Sequence, residues 1–511
     1  MKSGVLTGLL FFFTTIQLMA QGQLHPDSLF GQDGLIAVDV DSVHDFFRTI
    51  LVQDNGQILI AGHLHASWDL YGNPYRDSIA VVRLNSDGTL DNSFGTNGVA
   101  SASTPDPVIA EVEDMVIQSD GMILTCGMGM EQGGRPCFSM ARFNENGTVD
   151  TDFGQDGTVL TQFTDKWAGA NNIHAYGNGA ILLAGNVHPD TSDLADFALA
   201  KYLPNGAIDS SFGINGTVHT DFGMNYDDRL KAIWMFEDGR ILAVGNSAGK
   251  VELAKYHSDG TLDATFGSDG LLILNDSLYG SIYVYDVEVI DDGNILVGGT
   301  SNIGGSSSFT LMRCLSNGSL DTTFGNGGIE TLGWPGGHNL NHLYTFNSDI
   351  YATGGYYDGT NDYLLIAKLN SDGTYNTAFG EDGLATGIHG GAYSIAIQPD
   401  GKLLSLGRGT GYYFFDAIVA RYDAPTTGLR ELNANPDLIL FPNPTTSTVS
   451  LQSKISLSQA WLTDLIGHRL MPLQLNGIQW QADLTTLPGG IYLVKAFTKD
   501  GAKAVSKVVK L

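Results

Sequence analysis

Short apolar runs alternate with Asx-Gly pairs along most of the chain. The run Ile58-Leu59-Ile60-Ala61-Gly62, for example, follows Asn55-Gly56 and has the length of one strand. An Asx-Gly pair between apolar runs is the strongest short-range signal of a β-hairpin. Equivalent pairs stand at Asp120-Gly121, Asn178-Gly179, Asp238-Gly239, Asp292-Gly293 and Asp400-Gly401. The pattern therefore predicts an all-β chain of short antiparallel strands.

The string F-G-x-x-G recurs about every 58 residues and defines a repeat. It begins at Phe30, Phe94, Phe153, Phe212, Phe266, Phe324 and Phe379. Each full unit contains four strand-length segments, and the third ends apolar-basic-apolar, as in Val82-Arg83-Leu84. Four short strands in each of many units predict a β-propeller, with a linear solenoid as the structural rival.

The two ends of the repeat region decide between a ring and a solenoid. The seventh unit has strands one to three and stops near Asp423. Its missing fourth strand precedes the first unit, as Asp27 to Gly34 followed by Leu35 to Val40. A solenoid has no use for this split, whereas a ring is closed by it and loses its open edges. We therefore predict a seven-bladed β-propeller closed by an N-terminal strand that pairs around Ala417 to Tyr422.

The units resemble the delta-60 repeat family, which is widespread in exported bacterial proteins. The resemblance rests on a hallmark that stands here as Asp87 to Gly98, with the letters D-G-T-L-D-N-S-F-G-T-N-G. It covers about four-fifths of the chain, as expected for a repeat array. The resemblance implies a propeller fold and no particular activity.

A basic residue recurs near the end of strand three in every unit. These residues are Arg83, Arg142, Lys201, Lys255, Arg313, Lys368 and Arg421. One interpretation is a ring that binds phosphate or sugar-acid ligands. We favour the other, an ion pair with the Asp eight residues later in the same unit, because a repeated residue in a repeat fold usually serves the repeat.

The sequence offers no catalytic, cofactor-binding or metal-binding motif. Calcium in the Asx-rich turns is disfavoured, because aligning Gly88 with position 6 of an EF-type loop places Arg83 at position 1 and Phe94 at position 12. Spacings that would suit chelation occur at His63, His65, His338 and His342. Each spacing occurs in one unit only, so we interpret these histidines as scaffolding or solvent-facing residues.

Three cysteines are too few for a disulfide framework. Cys126 and Cys137 leave room for one bridge, whereas Cys314 stands at an apolar repeat position and is predicted to be an inert core thiol.

The N-terminus and the charge balance indicate an exported protein. Lys2, the apolar stretch Val5 to Ile16 and a cleavage point after Ala20 are typical of a secretory signal peptide over residues 1–20. A retained anchor helix is the alternative, although the run is short for a span. We expect no transmembrane segment in the mature chain. The net charge of −29 argues against nucleic acid as a partner, because nucleic-acid binding needs a basic face.

The composition changes after Asp423, and the net charge of the remaining chain turns positive. Residues 424–435 are predicted to be a linker, and the apolar stretches of residues 436–511 predict a small β-sandwich. The motif from Phe441 to Thr445, the stretch from Leu487 to Lys495 and the end Lys507 to Leu511 resemble the type A sorting domain of the type IX secretion system. The resemblance implies a Bacteroidota-type bacterium, passage through the periplasm, and secretion or cell-surface attachment. Type IX secretion machinery is then the partner of residues 436–511.

Two functions remain open for the propeller of residues 21–423. The first is a non-enzymatic binding or adhesion scaffold for a glycan or protein. The second is an exported polysaccharide hydrolase or lyase with carboxylates at the propeller mouth, since propellers host both. Any ligand is expected on the face of the variable loops, which join strands two to three and four to one. The candidate ligand-binding residues are Trp68, Tyr71, Trp167 and Trp334, with packing of these rings onto the blades as the alternative.

Overall fold

The computed structural model describes most of the repeat region and the core of the C-terminal region. The described residues are 24, 26–40, 44–68, 74–103, 110–131, 134–163, 167–188, 194–223, 226–274, 281–290, 293–303, 306–332, 337–346, 349–357, 362–377, 379–380, 382–389, 392–408, 417–422, 438–443, 445–453, 457–463, 469–476, 479–485, 487, 490–498 and 503–510. The chain divides into two compact units, Met1–Gly428 and Leu429–Leu511. The predicted signal peptide and linker lie outside the described residues.

Every regular element of the described residues is a β-strand, as the Asx-Gly pattern predicts. The first compact unit begins with β1 (Leu35–Val38), β2 (His44–Val52), β3 (Ile58–Trp68), β4 (Pro74–Leu84), β5 (Val99–Ala102), β6 (Ala110–Ile117), β7 (Ile123–Glu131), β8 (Arg135–Phe143), β9 (Thr158–Thr161), β10 (Trp167–Ala175), β11 (Ile181–His188), β12 (Asp196–Tyr202), β13 (Thr217–Thr220) and β14 (Arg229–Met235). The following strands are β15 (Ile241–Ser247), β16 (Lys250–Tyr256), β17 (Leu271–Leu274), β18 (Ser281–Val289), β19 (Ile295–Ile303), β20 (Ser306–Cys314), β21 (Ile329–Leu332), β22 (Gly337–Phe346), β23 (Asp349–Tyr357), β24 (Asp362–Leu369), β25 (Leu384–His389), β26 (Ala392–Ile397), β27 (Leu403–Arg408) and β28 (Ala417–Tyr422).

These strands form seven four-stranded antiparallel sheets within the described residues. Sheets 1 to 6 each take four consecutive strands, from β2–β5 to β22–β25. Sheet 7 has the order β1-β28-β27-β26, so the N-terminal strand completes the last sheet. Leu35 pairs with Ala420 and Val38 with Ala417. The predicted pairing of the N-terminal strand with Ala417 to Tyr422 is confirmed.

Successive sheets share their hydrophobic cores, which gives a propeller-like fold. Phe94 of sheet 1, for example, packs in one cluster with Met115 and Phe143 of sheet 2. The same relation joins sheet 7 to sheet 1, because Leu406 and Val419 share a cluster with Phe47. The first strands also contact one another in a closed order, β2-β6-β10-β14-β18-β22-β26 and back to β2. Within the described residues no helix is long and apolar enough to cross a membrane.

The repeated F-G-x-x-G turn fastens each sheet to the next. In the first unit the Asp91 carboxylate accepts bonds from the Ser93 N–H and hydroxyl, which fixes the turn before Phe94. Phe94 is completely buried. Gly95 has φ +52°, and a Cβ there would lie 2.1 Å from the Val99 carbonyl oxygen. Its N–H donates to Asn146 of the next unit, so glycine is required for the close approach.

The repeated arginines link two neighbouring sheets as well as their own turn. Arg83 Nε lies 2.8 Å from the Asp91 carboxylate, while its Nη1 donates to the Glu145 carbonyl of the next unit. The guanidinium also covers the Phe94 ring, 4.4 Å from its centroid. Corresponding pairs occur for Arg142 with Asp150 and Arg313 with Asp321. We call this arrangement of cation, Asp, Phe and next-unit carbonyl the arginine clamp.

The lysines at the same position depart from the prediction of an ion pair. Neither Lys201 nor Lys255, both described, forms an ion pair with the Asp eight residues later; Lys201 instead donates to the Ser258 carbonyl of the next unit, at 3.3 Å. Lys368 pairs with Asp349 of its own unit, at 2.9 Å. A lysine ammonium is a single point on a flexible stem and lacks the forked geometry with which arginine reaches carboxylate and carbonyl together. The predicted ion pair is thus confirmed for Arg83, Arg142 and Arg313. The charges of Lys201 and Lys255 act on Asp209 and Asp263 without a direct ion pair, and Asn376 stands eight residues after Lys368.

The second compact unit, Leu429–Leu511, contains two four-stranded sheets. Its strands are β29 (Leu438–Phe441), β30 (Thr448–Ser453), β31 (Leu457–Thr463), β32 (Arg469–Pro472), β33 (Gln474–Asn476), β34 (Gln479–Asp483), β35 (Gly490–Thr498) and β36 (Lys503–Lys510). The sheet orders are β29-β30-β34-β33 and β32-β31-β35-β36. Leu451 of the first sheet and Leu462 of the second are completely buried in one shared cluster.

The three cysteines are free and buried. Burial raises the pKa of Cys137 and of Cys314 to about 12, so both thiols stay protonated near neutral pH. Cys126 and Cys137 therefore form no disulfide, and Cys314 is a core residue as predicted.

Candidate functional site at the first strands

A bulge interrupts the first strand of every sheet at the same repeat position. The register with strand two shifts by one residue there, and the unmatched residues are Arg48, Glu113, Asn171, Lys231, Tyr285, Asn341 and Tyr393. The residues that follow them are Thr49, Asp114, Asn172, Ala232, Asp286, His342 and Ser394. A bulge changes the direction of the side chains beside it. The seven first strands contact one another, and they carry side chains of different chemistry at this position.

Two of these residues form a close pair between sheets 5 and 6. The Nδ1 of His342 lies 2.6 Å from the Oδ2 of Asp286. The same carboxylate accepts the N–H of Val287 at 2.8 Å and that of Leu343 at 2.7 Å. Since Leu343 belongs to the next first strand, Asp286 both joins two sheets and orients the imidazole.

Asp114 of sheet 2 interacts electrostatically with the pair formed by Asp286 and His342. Its carboxylate accepts the Met115 N–H at 2.7 Å and the Ile173 N–H of the next sheet at 3.1 Å. Burial raises the pKa of Asp114 to about 6, and the charges of His342 and Asp286 act on it in opposite directions. Residues from sheets 2, 5 and 6 therefore face a common space.

Glu288 completes a group of four that we call the first-strand cluster: Asp114, Asp286, Glu288 and His342. Glu288 accepts a hydrogen bond from the Thr345 hydroxyl at 3.3 Å. Burial and the neighbouring Asp286 charge raise its pKa to about 7. Burial by itself lowers the pKa of His342, but the charge and hydrogen bond of Asp286 outweigh it, so the pKa is raised. The cluster thus places carboxyls that titrate near neutrality beside an imidazole that favours its cation.

A second charged set lies among the unmatched residues of the bulges. Arg48 of sheet 1 is 3.8 Å from Glu113 of sheet 2, and the Lys231 charge of sheet 4 also acts on that carboxyl. Burial outweighs both cations and raises the pKa of Glu113. The space bounded by the first strands therefore carries both signs of charge, which suits a polar ligand better than an apolar one.

Comparison with known families identifies both parts of the chain. Residues 53–94, 118–153, 177–212, 237–266 and 291–324 match the family described as a domain of unknown function (DUF5122) beta-propeller. These five ranges are DUF5122 β-propeller repeats, and we call the repeat array that contains them the DUF5122 region. Residues 439–511 match the secretion system C-terminal sorting domain, which indicates secretion or cell-surface localisation through the type IX secretion machinery. No curated protein matches the sequence.

Solved structures with a similar course of the chain have distant sequences. A catalytically inactive virginiamycin B lyase from Staphylococcus aureus, solved with quinupristin, has 12% identity and a TM-score of 0.41, over 76% of this chain and 99% of that chain. The polysaccharide lyase Uly1 has 12% identity and a TM-score of 0.41, over 79% and 98%. Drosophila Semaphorin 2a has 9% identity and a TM-score of 0.39, over 90% and 96%. At these values the likenesses carry no argument about chemistry.

The predicted aromatic residues fall partly outside the described DUF5122 region. Trp167 begins β10, is 39% exposed, and makes an edge contact with His188 at 4.5 Å between ring centroids. The backbone of Trp68 ends β3 opposite Pro74. Tyr71 and Trp334 lie outside the described residues. A hollow of about 420 Å³ lies instead on the Asx-Gly side, lined by Asn55, Asp87, Asp400 and Arg421 among others.

The sequence interpretation missed the first-strand cluster, although a signal was present. Asp114 and Asp286 each stand six residues before the Asx of their Asx-Gly turn, at Asp120 and Asp292. The remaining units carry Thr, Asn, Ala, His and Ser at that position, so aligning the units by their turns exposes one variable polar site in an otherwise apolar strand. The sequence predicts a scaffolding or solvent-facing role for His342 and does not reveal its pairing with Asp286. His63 is stacked on Phe46, and His338 on Tyr356.

Proposed function

We propose that the DUF5122 region is a seven-bladed propeller closed by its N-terminal strand, and that it serves as a binding or adhesion scaffold outside the cell. A signal peptide over residues 1–20 would lead the chain into the periplasm. Residues 436–511 would form a β-sandwich that the type IX machinery recognises, after a linker over 424–435. The same proposal includes attachment to the cell surface and a Bacteroidota-type bacterium as the source of the chain.

One observation carries the binding role. The repeated residues, such as Arg83, Asp91 and Phe94, are used by the contacts that hold the sheets together. Variation is concentrated at the positions after the bulges and in the loops at the same ends of the strands, where Trp167 is exposed. A repeat protein recognises a partner through residues that differ between its repeats. The ligand proposed for this surface is a glycan or a protein, bound on the variable-loop face near Trp68, Tyr71, Trp167 and Trp334.

A second candidate function is hydrolysis or elimination on a polysaccharide. The observation that favours it is the first-strand cluster, because Glu288 and Asp114 have pKa values raised to about 7 and about 6. A carboxyl of that kind can act as general acid while a neighbouring carboxylate or imidazole acts as base. Glu288 would be the proton donor or acceptor in this reaction, with Asp286 orienting His342.

A glycan array probed with the intact chain, followed by analysis of the same glycans for cleavage, separates the two functions. The scaffold predicts retention of glycans or partner proteins without turnover. Cleavage that is lost in Glu288→Gln and retained in the matched surface variant Glu145→Gln would support the enzyme function and contradict the scaffold function. Glu145 lies in an exposed Asx-Gly turn and has no role in the cluster.

A further inference from the structure

Three aspartates from two neighbouring sheets converge beside the connection from β13 to β14. Asp196 begins β12, Asp221 follows β13, and Asp228 directly precedes β14. One carboxylate oxygen from each lies within 4.8 Å of the others. Asp196 and Asp228 are 7% and 1% exposed, while Asp221 faces solvent. Three carboxylates so close together repel one another unless a cation or a proton lies between them.

Local hydrogen bonds hold these carboxylates in place and leave oxygens unused. Asp228 Oδ2 accepts the Phe222 N–H at 2.9 Å, Asp221 Oδ1 accepts the Gly223 N–H at 2.6 Å, and Asp196 Oδ2 contacts His219 Nε2 at 2.5 Å. The other oxygen of Asp228, Oδ1, is buried, and the groups beside this carboxyl are the Ser247 hydroxyl and the Glu252 carboxyl. Backbone N–H groups therefore fix the orientation of Asp221 and Asp228, and the His219 imidazole contacts Asp196.

A fourth carboxyl lies beside Asp228 and belongs to a different strand. Glu252 in β16 is completely buried, and the Asp228 carboxyl and the Ser247 hydroxyl are the polar groups beside it. The Ser247 hydroxyl oxygen is buried as well, and it also lies beside Asp228. Lys250 is the cation whose charge acts on Glu252, and Lys250 itself lies over the Tyr226 ring. A buried carboxyl beside a buried carboxylate is costly unless a cation or a proton neutralises the pair.

We propose that Asp196, Asp221 and Asp228, supported by Glu252, bind one Ca²⁺ ion. Ca²⁺ takes hard oxygen ligands at about 2.4 Å, so two oxygens on one ion lie at most about 4.8 Å apart, which is the spacing found here. The set is acidic and oxygen-rich, as Ca²⁺ prefers, and sites in extracellular modules bind Ca²⁺ with dissociation constants on the order of 10⁻⁴ to 10⁻³ M. This site is separate from the first-strand cluster and from the Asx-Gly turns.

The bound ion would join sheets 3 and 4. Asp196 belongs to sheet 3, Asp228 leads into the first strand of sheet 4, and Glu252 lies in its third strand. Their common ion would fix the connection on the variable-loop side and relieve the repulsion between buried carboxylates. The export of the chain places this site where Ca²⁺ is plentiful, whereas a cytosolic chain would rarely be loaded.

Titration calorimetry and thermal unfolding of the intact, EDTA-treated chain with CaCl₂ test the proposal. We expect one Ca²⁺ per chain and a thermal transition that rises with Ca²⁺ concentration, since a ligand of the folded state stabilises it by mass action. Asp221→Asn should weaken Ca²⁺ binding at least about tenfold, the effect of losing one charged ligand. Asp221 is exposed, so this change leaves the core intact; Asp228→Asn should abolish binding.

Asp269→Asn is the matched control, because it removes one carboxylate from the repeated turn of sheet 4, on the opposite side, at a position where the equivalent residues are Asn97 and Asn215. It should bind Ca²⁺ like the parent chain. The competing explanation for the close carboxyls is a proton shared between Glu252 and Asp228. It predicts a thermal transition that does not change with Ca²⁺ concentration in any variant. That result, or equal Ca²⁺ affinity in Asp221→Asn and the parent, overturns the proposal.

Discussion

The Nη2 of Arg421 lies 2.7 Å from the Oδ2 of Asp27, which precedes the first sheet. Lys402 contacts the same carboxylate at 2.5 Å, and Arg421 also donates to the Ser86 carbonyl of sheet 1. Its guanidinium lies over the Phe30 ring, 4.5 Å from the centroid. One arginine thus connects the N-terminal segment, sheet 7 and sheet 1. The contact between the ends of the repeat region is another copy of the arginine clamp.

Removal of Asp27 should weaken the whole repeat region. Asp27 and Arg421 are 4% and 6% exposed, so Asp27→Ala leaves buried Arg421 and partly buried Lys402 without their carboxylate. We expect a loss of about 3 kcal/mol in the free energy of unfolding, in the range of broken buried ion pairs. Urea denaturation of the intact chain measures it. Asp54→Ala, at an exposed Asx-Gly turn, is the control and should change stability by less than about 0.5 kcal/mol. Equal effects of the two changes would contradict the closure role.

The arginine clamp predicts that a lysine-to-arginine change at its cation position raises stability and that an arginine-to-lysine change lowers it. Lys201→Arg should gain the missing contact with Asp209 and raise stability by about 1 kcal/mol, because a forked, charge-assisted contact forms in a half-buried site. Arg83→Lys should lose the simultaneous contact with Asp91 and Glu145 and lower stability by a similar amount. Thermal unfolding of both variants measures the difference. Two changes of the same sign would show that the guanidinium geometry does not matter.

Asp286 should control the protonation of His342. In Asp286→Asn the burial of the imidazole is no longer opposed by the adjacent carboxylate, so the pKa of His342 should fall. NMR titration of the imidazole signals measures this shift. Asp33→Asn, at a distant turn, should leave the titration of His342 unchanged. An unchanged pKa in Asp286→Asn would mean that the two side chains are not paired in solution.

Glu288 should make the repeat region less stable as the pH rises toward neutrality. Its folded pKa of about 7 lies above the ordinary value of 4.5, because burial and Asp286 disfavour the charged form. The folded state therefore holds its proton longer than the unfolded state, and stability falls as the pH rises from about 4.5 through 7. Glu288→Gln should remove roughly 2 kcal/mol of this fall. Urea midpoints across that pH range are the measurement, and parallel pH profiles for parent and variant would refute the assignment.

Local rules in the sequence were sufficient for the sheets and their closure. The Asx-Gly turns fix the hairpin positions, and the split between Leu35 to Val40 and the seventh unit predicts the pairing of β1 with β28. These features depend on residues close in sequence or on the count of strands per unit. The ion pairs of Arg83 and Arg142 follow from the same periodicity.

The first-strand cluster depends on features that the apolar pattern hides. The bulge after Val284 changes which way Asp286 points, and its partner His342 lies in another unit. Sequence spacing shows neither the bulge nor the approach of sheets 2, 5 and 6 to one space. The failure at Lys201 has a different cause, because the period places a cation there but does not encode the reach of its side chain.

The position of the ligand surface is tested most directly by two matched triple variants. The first carries Trp68→Ala, Trp167→Ala and Trp334→Ala on the variable-loop side. The second carries Leu29→Ala, Leu203→Ala and Ile214→Ala, which replace exposed apolar residues of the repeated turns on the opposite side. Affinity for a glycan or protein retained by the intact chain is measured for both, together with their thermal transitions. The scaffold account predicts lost binding in the first variant, parent-like binding in the second, and nearly unchanged thermal transitions in both. Parent-like affinity of the tryptophan variant, or loss only in the second, would contradict it.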